Sequence, residues 1–280
     1  YFVIILLDNN QLIIASLYQS LKMNMEIDED IIRHLILNTY RMYRTKFGNQ
    51  YGEIVICHDG GKYWRKDLYP YYKANRKKNR DKSDLDWNAV HDIMNTMYNE
   101  ISLNFPYKNL KLNRVEADDI IAVLCQKYNK EEKILIVSSD KDFQQLQKYE
   151  NVKQYSPLKR SYIACEEPEN FILEHIIKGD SSDGIPNILS DDDTFVNKEK
   201  RQKPCGAKKI CKLKEHLDEL TDTQNWKRNQ QMIDFNYIPD EIRDMIIREF
   251  EKEPMGSRSN ILNYFIDNRL KNLMQHIEEF

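Results

Sequence analysis

Three short apolar runs, each closed by an aspartate, stand out in the first half of this chain. They cover residues 2–8, 54–59 and 134–140 and consist mostly of isoleucine, leucine and valine. Such runs are typical of strands buried on both faces of a parallel sheet. The carboxyl ends of these strands meet at one edge, where open α/β sheets bind their ligands. We therefore expect one cleft to be lined by the aspartates that close the runs, Asp8, Asp59 and Asp140.

Helical periodicity fills the stretches between these strands. Apolar residues recur at helical spacing over residues 28–47, 87–101 and 116–128, and an edge strand is expected near 151–155. This alternation predicts a parallel, three-layer α/β domain over residues 1–177.

The strand signals fade in the rest of the chain. An acidic-then-basic loop is expected over residues 187–204, and helical patterns resume at 208–220, 240–252 and 260–279. These patterns predict a smaller, all-α second domain over residues 178–280.

The net charge of −3 hides a strong segregation of charge along the chain. Residues 62–80 carry eight Lys/Arg against one acid, and residues 198–214 carry eight more against one acid. Residues 60–84 also lack Val, Ile and Phe, which predicts a basic surface excursion such as a helical arch. An acidic cleft flanked by two basic segments suits a polyanionic substrate.

Composition limits the class of protein and the compartment in which it would work. A length of 280 residues with 41% hydrophobic and 31% charged residues fits a rather polar globular protein. The five cysteines form no C-x-x-C pair, which favours reduced thiols in a cytoplasm and argues against a zinc site. The longest apolar run, residues 2–7, is too short to span a bilayer. No signal-peptide pattern precedes it, and because the first residue is Tyr1 we expect further residues ahead of it.

Further carboxylates accompany the strand ends. Glu116, Asp118 and Asp119 begin a predicted helix, and Asp142 follows Asp140 by two residues. Two carboxylates 4 Å apart repel by roughly 4 kcal/mol at an effective dielectric of 20, so a cleft holding several needs cations. Oxygen ligands without a nearby histidine or cysteine set indicate Mg²⁺ or Mn²⁺. Singly, each acid is more often a turn or cap residue, but their conjunction on one edge favours a metal site.

Spacing limits how these acids can cooperate. Glu116 and Asp118 would point about 200° apart within a helix, so they can share an ion only if Glu116 precedes the helical turn. Asp180 and Asp183, in the segment 179–186, are three apart and are expected to face the same way and complete the metal site; the alternative for that segment is a helix C-cap and turn. Two ions about 3.5–4 Å apart would activate a water and stabilise the leaving oxygen of a phosphodiester.

The first basic segment has a pattern of its own. The tyrosines directly before Lys73 could stack on unpaired bases, while the cations that follow bind phosphates. A solvated charged surface is the alternative. At helical spacing, one cationic stripe would contain Lys73, Arg76, Lys77 and Arg80.

Taken together, the motifs resemble those of the 5′-nucleases, the flap endonucleases and polymerase-associated 5′→3′ exonucleases. The set comprises Asp8, Asp59, Val-Glu-Ala-Asp-Asp at 115–119, Ser-Ser-Asp-x-Asp at 138–142 and Gly-Asp-Ser-Ser-Asp at 179–183. Within the family, the T-even bacteriophage RNase H type is the nearest likeness, over essentially the whole chain. The resemblance implies a PIN/5′-nuclease-like sheet domain followed by a helix–two-turn–helix domain.

The resemblance also implies roles for individual residues. A first, catalytic ion would be held by Asp8, Asp59, Glu116 and Asp118, and a second by Asp140, Asp142 and Asp183, with Asp119 and Asp180 as outer helpers. The scissile phosphate would be contacted by Arg65, Lys73 and Arg76, and Tyr72 would stack near the 5′ end. The family's glycine-rich turn would survive as Gly206, Lys208 and Lys209.

By resemblance, the expected activity is Mg²⁺-dependent hydrolysis at 5′ ends, with two ions and with Mn²⁺ able to substitute. RNA-primed DNA, RNA–DNA hybrids and 5′ flaps would be the substrates, and primer removal in phage replication the setting. A monomer in the cytoplasm of an infected bacterium is expected, with a single-strand-binding protein and a sliding clamp as partners and no membrane.

The sequence differs from the family's pattern at two places, and there are three alternatives to the expected function. The family's Asp-Asn-Ile-Pro is Asp183-Gly-Ile-Pro here, and the loop 187–204 replaces the compact turn. A dehalogenase-type phosphatase would need Asp-x-Asp where Asp8-Asn-Asn stands. A PIN-type ribonuclease would lack the excursion at 60–84, and a non-catalytic branched-DNA-binding protein would not need every acid. No phosphate-binding G-x-x-x-x-G-K-[ST] loop is present.

Overall fold

A six-stranded sheet organises the protein. The computed structural model describes residues 4–22, 29–76 and 86–280. The strands are β1 Ile4–Asp8, β2 Glu53–His58, β3 Lys108–Lys111, β4 Ile134–Val137, β5 Val152–Ser156 and β6 Ser161–Ile163. Their order in the sheet is β3-β2-β1-β4-β5-β6, with β1 to β5 mutually parallel and β6 antiparallel to β5. This confirms the predicted parallel α/β fold.

Helices cover both faces of this sheet and make up most of the C-terminal part. The α-helices in the described ranges are Asn9–Lys22, Glu29–Tyr51, Arg65–Leu68, Trp87–Asn104, Ala117–Tyr128, Pro168–Lys178, Ala207–Lys214, Leu217–Leu220, Gln224–Ile233, Asp240–Glu251, Arg258–Asp267 and Lys271–Met274. Short 3₁₀ helices cover Lys141–Lys148, Phe235–Tyr237 and Ile277–Glu279. None of the described helices is both long and apolar enough to cross a membrane.

The C-terminal helices pack into the two cores that flank the sheet. On one face, Phe265 and the terminal Phe280 are fully buried together with Phe105, with ring centroids 5.2–6.2 Å apart. On the other face, Ile246 packs with the strands and with the helix Ala117–Tyr128. Residues beyond 230 therefore stabilise the sheet directly. The domain boundary expected at residue 177 stays a prediction.

Three elements differ from the sequence-based expectation. The helix Asn9–Lys22 follows β1 directly, where no element was expected. The strand Lys108–Lys111 was missed because three of its four residues are polar and it lies at the sheet edge beside β2. The expected edge strand near 151–155 is an interior strand, because Ser161–Ile163 pairs along its outer side.

Gly60 allows a close backbone approach that brings two acidic groups together. Its N–H donates to the carbonyl of Val115 at 2.8 Å, which joins the residue after Asp59 to the residue before Glu116. A Cβ built on Gly60 would lie 1.6 Å from the carbonyl oxygen of Leu112. Only glycine therefore fits this contact without a shift of the backbone.

We expect Gly60→Ala to lower the free energy of unfolding by about 3 kcal/mol, because the added methyl group forces the two segments apart. Urea denaturation monitored by circular dichroism measures this. Gly48→Ala is the matched control, since this glycine lies within the helix Glu29–Tyr51 and a Cβ there would meet nothing closer than 3.8 Å. It should raise stability by roughly 0.5–1 kcal/mol. Equal effects of the two substitutions on stability would contradict the close contact between Gly60 and the backbone of Leu112.

Candidate metal centre

Asp8 and Asp59 end the neighbouring strands β1 and β2. Asp8 is the last residue of β1, and its carboxylate accepts a hydrogen bond from the Ser138 hydroxyl at 2.8 Å. Asp59 directly follows β2 and accepts from the Asn10 amide at 2.6 Å and from the Ala117 N–H at 2.9 Å. Both carboxylates are thus oriented by hydrogen-bond donors that belong to adjacent segments.

The second group of acids begins the helix Ala117–Tyr128. Glu116 has extended backbone angles (φ −92°, ψ 156°) and is the N-cap, so it precedes the helical turn as its spacing from Asp118 requires. Its side chain and that of Asp119 form a reciprocal capping box with the backbone. The Trp64 indole also donates to Asp119, at 3.0 Å. Asp119 therefore holds the end of the helix in place.

The third group leaves the end of β4. Asp140 is the N-cap of the 3₁₀ helix Lys141–Lys148 and accepts from the backbone N–H of Asp142 at 2.9 Å. Gln154 donates to the carbonyl of Asp140 at 2.6 Å and fixes this turn against β5. The sharp turn places the side chains of Asp140 and Asp142 in different surroundings.

One cavity of about 390 Å³ joins carboxylates from three strand ends and one helix N-terminus. Cationic side chains line the same cavity, so opposite charges face each other across it. Its acidic residues are Asp8, Asp59, Asp118 and Asp140, and the expected basic residues among its lining are Lys73 and Arg76.

The electrostatics of this cavity favour bound cations. Burial raises the pKa of Asp8 to about 7, and the carboxylates of Asp59 and Asp140 add to the effect against the hydrogen bond from Ser138. Burial also raises the pKa of Asp118 well above its usual value, with Asp140 and Asp8 contributing repulsion. The donor set is composed of crowded oxygens, which is the chemistry that hard divalent cations require. The residues present therefore fit divalent ions.

A cationic cluster beside the cavity binds Glu116. Lys73 donates to Glu116 and lies 3.5 Å from Asp183. The Arg65 guanidinium contacts Glu116 and Asp119 at 2.8 Å each and is 2% exposed. Although burial opposes it, the Lys73 and Arg65 charges hold the pKa of Glu116 below its usual value. Glu116 is thus an ionised carboxylate with two cationic partners.

The structure corrects the expected cationic stripe. Lys73 lies in a turn with φ of 56°, and its N–H donates to the carbonyl of Asp183 at 2.7 Å, so it does not belong to a helix stripe. Arg76 contacts the Asp183 carboxylate at 2.5 Å. Lys77 and Arg80 lie outside the described residues.

Tyr72 and Arg65 are buried instead of facing the cavity. Tyr72 is 3% exposed, and its hydroxyl lies 3.0 Å from a carboxylate oxygen of Glu116 and 3.2 Å from one of Asp183, so its single proton is shared between them. Both side chains contact carboxylates where the sequence suggested contacts to nucleic acid. Lys208 and Lys209 are exposed on the helix Ala207–Lys214.

Asp180 and Asp183 have different partners, so the expected pairing is not seen. Asp183 joins the Lys73 cluster, whereas Asp180 contacts Lys141 at 2.8 Å and His175 at 3.1 Å. His175 was missed from the sequence, which was expected to offer no histidine near the acids. The signal in the sequence was a histidine five residues before Asp180, within a short helical pattern that contains the apolar residues 171–173 and 176–177.

Comparison with known proteins defines the class. A model of the 5′-3′ exonuclease N-terminal, resolvase-like domain matches residues 3–174, and a model of the T4 RNase H C-terminal region matches residues 166–280. The chain belongs to the 5′-3′ exonuclease family and is a nuclease.

Individual relatives agree with this assignment. Ribonuclease H of Enterobacteria phage T4 is 34% identical over 99% of this chain and 95% of its own length. A 5′-3′ exonuclease of Mycoplasmopsis pulmonis is 30% identical over 66% of this chain and 61% of its own length. The solved bacteriophage T5 flap endonuclease, in a complex with DNA and metal ions, superposes with a TM-score of 0.62 at 17% identity, over 89% of this chain and 99% of that one. The last comparison supports the fold.

Proposed function

We propose that this protein is a Mg²⁺-dependent 5′→3′ exonuclease and flap endonuclease that acts on RNA-primed and 5′-flap DNA. The observation that carries the proposal is the cavity in which Asp8, Asp59, Asp118 and Asp140 face Lys73 and Arg76. A carboxylate set of this kind suits two ions, and the cationic wall suits a phosphodiester.

The metal assignment is carried over from the resemblance to the 5′-nucleases, and the carboxylates that line the cavity support it. Divalent ions would supply activation of a water and charge stabilisation at the leaving oxygen. The first ion would be held by Asp8, Asp59, Glu116 and Asp118, and the second by Asp140, Asp142 and Asp183, with Asp119 and Asp180 supporting them. Mn²⁺, which accepts the same oxygen ligands, should substitute for Mg²⁺.

The cationic residues divide into two roles. Lys73 and Arg76 line the cavity and would offset negative charge on the scissile phosphate. Arg65 and Tyr72 are buried against Glu116, so we assign them to positioning that carboxylate. Any stacking on a 5′ nucleotide would then fall to more exposed rings, such as Tyr71, which is 37% exposed.

We expect Lys73→Ala to lower the single-turnover cleavage rate by about 10²-fold, because a buried cation close to the reacting phosphate is lost. Rapid-quench kinetics on a 5′-flap substrate measure this, and Mn²⁺ titration measures whether metal affinity changes less than the rate. Lys66→Ala is the control, since Lys66 is an exposed lysine in the nearby helix Arg65–Leu68. A wild-type rate for Lys73→Ala would refute its role.

The helix Ala207–Lys214 would contribute to the grip on the duplex backbone. We expect the double variant Lys208→Ala/Lys209→Ala to reduce the slope of log affinity against log salt by about 2, since each phosphate contact contributes roughly 0.9. Fluorescence anisotropy between 50 and about 200 mM salt measures the slope. An unchanged slope would exclude these lysines from the interface.

The biological setting is carried over from relatives. The phage T4 relative is a ribonuclease H, and the T5 structure holds DNA and metal ions. We extend these properties to primer removal during phage replication in the bacterial cytoplasm. A monomer that cooperates with a single-strand-binding protein and a sliding clamp is part of the same proposal.

The test is cleavage of a 5′-labelled flap and of an RNA-primed duplex, each with Mg²⁺ and with chelator. We expect Mg²⁺-dependent release of short 5′ fragments from both, and no cutting of a circular single strand that has no 5′ end. Tight binding without cleavage of either substrate would favour the non-catalytic branched-DNA-binding protein.

A further inference from the structure

His175 lies between two carboxylates at the end of the helix Pro168–Lys178. Its Nε2 is 3.1 Å from Asp180 Oδ2, and its Nδ1 is 3.5 Å from Asp142 Oδ1. The ring is 6% exposed, with Phe171 packed edge-on against it at a centroid distance of 5.7 Å. Ligand atoms of all three polar residues lie within 4.8 Å of one another.

The two sides of the imidazole ring differ in their partners. On the Nε2 side, Asp180 is fully engaged, since Lys141 and Ser182 also donate to it. On the other side, His175 Nδ1 and Asp142 Oδ1 are buried atoms without a hydrogen-bond partner in the described part of the chain. These two atoms are 3.5 Å apart, so one ion could contact both of them.

This asymmetry is the one that a metal-binding histidine needs. A ligating histidine usually donates its other ring N–H to a carboxylate, which fixes the tautomer and aims the free nitrogen at the ion. Asp180 provides that carboxylate, so the Nε2–H tautomer presents the Nδ1 lone pair toward Asp142. Lys141 balances the charge of Asp180, so a bound ion would be the group that balances an ionised Asp142.

We propose that His175 Nδ1 and Asp142 Oδ1 coordinate a divalent ion of the first transition series, with Asp180 as the carboxylate that orients the imidazole. A nitrogen ligand favours Mn²⁺, Co²⁺ or Zn²⁺ over Mg²⁺, which prefers an all-oxygen shell. The proposed site contains no cysteine. The scattered positions of the cysteines, which argued against a zinc site in the sequence, therefore do not count against it.

The proposal rests on the proposed function, because Asp142 is shared with the second ion assigned there. It adds a nitrogen donor to that ion's surroundings, and with it a preference among metals. A protonated His175 held between the two carboxylates would give similar contacts without any metal. The experiment must therefore detect the metal–nitrogen bond itself.

The probe is Mn²⁺, added to the chelator-treated full chain in steps up to two equivalents. Pulsed electron paramagnetic resonance detects the nuclear modulation of a coordinated imidazole nitrogen. We expect ¹⁴N modulation in the wild type, and its replacement by the ¹⁵N pattern when the protein is labelled with ¹⁵N-histidine. The labelling needs no substitution, so it stands even where a variant folds poorly.

Two variants assign the nitrogen. His175→Gln should abolish the modulation and weaken Co²⁺ affinity at least about tenfold. His216→Gln is the control, because His216 is exposed, and it should leave both unchanged. Mn²⁺ that binds without histidine modulation would overturn the proposal, as would modulation that survives in His175→Gln or a failure to bind Mn²⁺.

The same samples separate this proposal from the proposed function. Mg²⁺-dependent cleavage without histidine modulation would leave the nuclease assignment standing and remove the His175 site. Histidine modulation without cleavage would support the His175 site and contradict the proposed nuclease activity.

Discussion

Asp118→Asn is expected to reduce Mg²⁺-dependent cleavage by about 10³-fold or more while DNA affinity is retained. The carboxylate lies in the cavity with Asp8 and Asp140, so its loss would remove a carboxylate from the proposed first metal site. Metal ions supply several kcal/mol of transition-state stabilisation, and each 1.4 kcal/mol is about a factor of ten in rate. Affinity should hold or rise, since one negative charge facing a polyanion has gone.

The same variant should be more stable than the wild type when metal is absent. Asp118 is buried among like charges, and the neutral amide relieves that repulsion. Single-turnover kinetics, anisotropy binding and thermal unfolding in chelator measure the three quantities on one sample. Asp244→Asn, an exposed aspartate on the helix Asp240–Glu251, is the control and should change none of them. Loss of DNA affinity in parallel with the rate would point to misfolding and contradict the assignment.

The second large effect is a pH-dependent loss of stability that Mg²⁺ reverses. The pKa values of Asp8 and Asp142 are each raised to about 7 from 3.8, chiefly by burial. Between these values the folded protein binds more protons than the unfolded chain, so the free energy of unfolding falls as pH rises. The decline should begin near pH 4 and end just above pH 7, and amount to a few kcal/mol.

Thermal unfolding at pH 5 and pH 8, with chelator or with Mg²⁺, tests this. We expect the metal-free midpoint to drop by roughly 5–10 °C between these pH values. Mg²⁺ should restore stability much more at pH 8, where the carboxylates are ionised and free to bind it. Asp8→Asn should reduce the drop in the metal-free unfolding midpoint between pH 5 and pH 8. A metal-free midpoint that rises over this pH range would be inconsistent with crowded carboxylates.

The strand-end acids could be predicted because they depend on local pattern. Buried parallel strands are nearly all apolar, so β1, β2 and β4 and the residues that follow them are visible in the sequence. The angle between residues two apart set the condition that Glu116 must precede the helix if it shares an ion with Asp118, and Glu116 is the N-cap. Both inferences need only short-range geometry.

The elements that were missed depend on the tertiary environment. Asn9 begins a helix, although its type is common in turns, because Tyr40 and His58 hydrogen-bond to its side chain in the interior. The C-terminal Phe280 becomes a core residue only through contacts with distant helices. No local pattern in the sequence encodes these contacts.

The candidate site differs from expectation for the same reason. Lys73 leaves the expected helix stripe because Glu116 and Asp183 bind its side chain and backbone from elsewhere in the chain. His175 lies beside Asp142 because the helix Pro168–Lys178 packs against the 3₁₀ helix that carries Asp142. The sequence pattern predicted where the strand-end acids lie, whereas their hydrogen-bond and ion-pair partners could be seen only in the fold.

The most direct test of the account is anomalous X-ray diffraction from crystals soaked in Mn²⁺. The account predicts two peaks about 3.5–4 Å apart in the cavity, one within ligand distance of Asp8 and Asp118 and the other beside Asp142. Absence of any peak within ligand distance of Asp118 at saturating Mn²⁺ would contradict the assignment of this cleft as the metal centre of the nuclease.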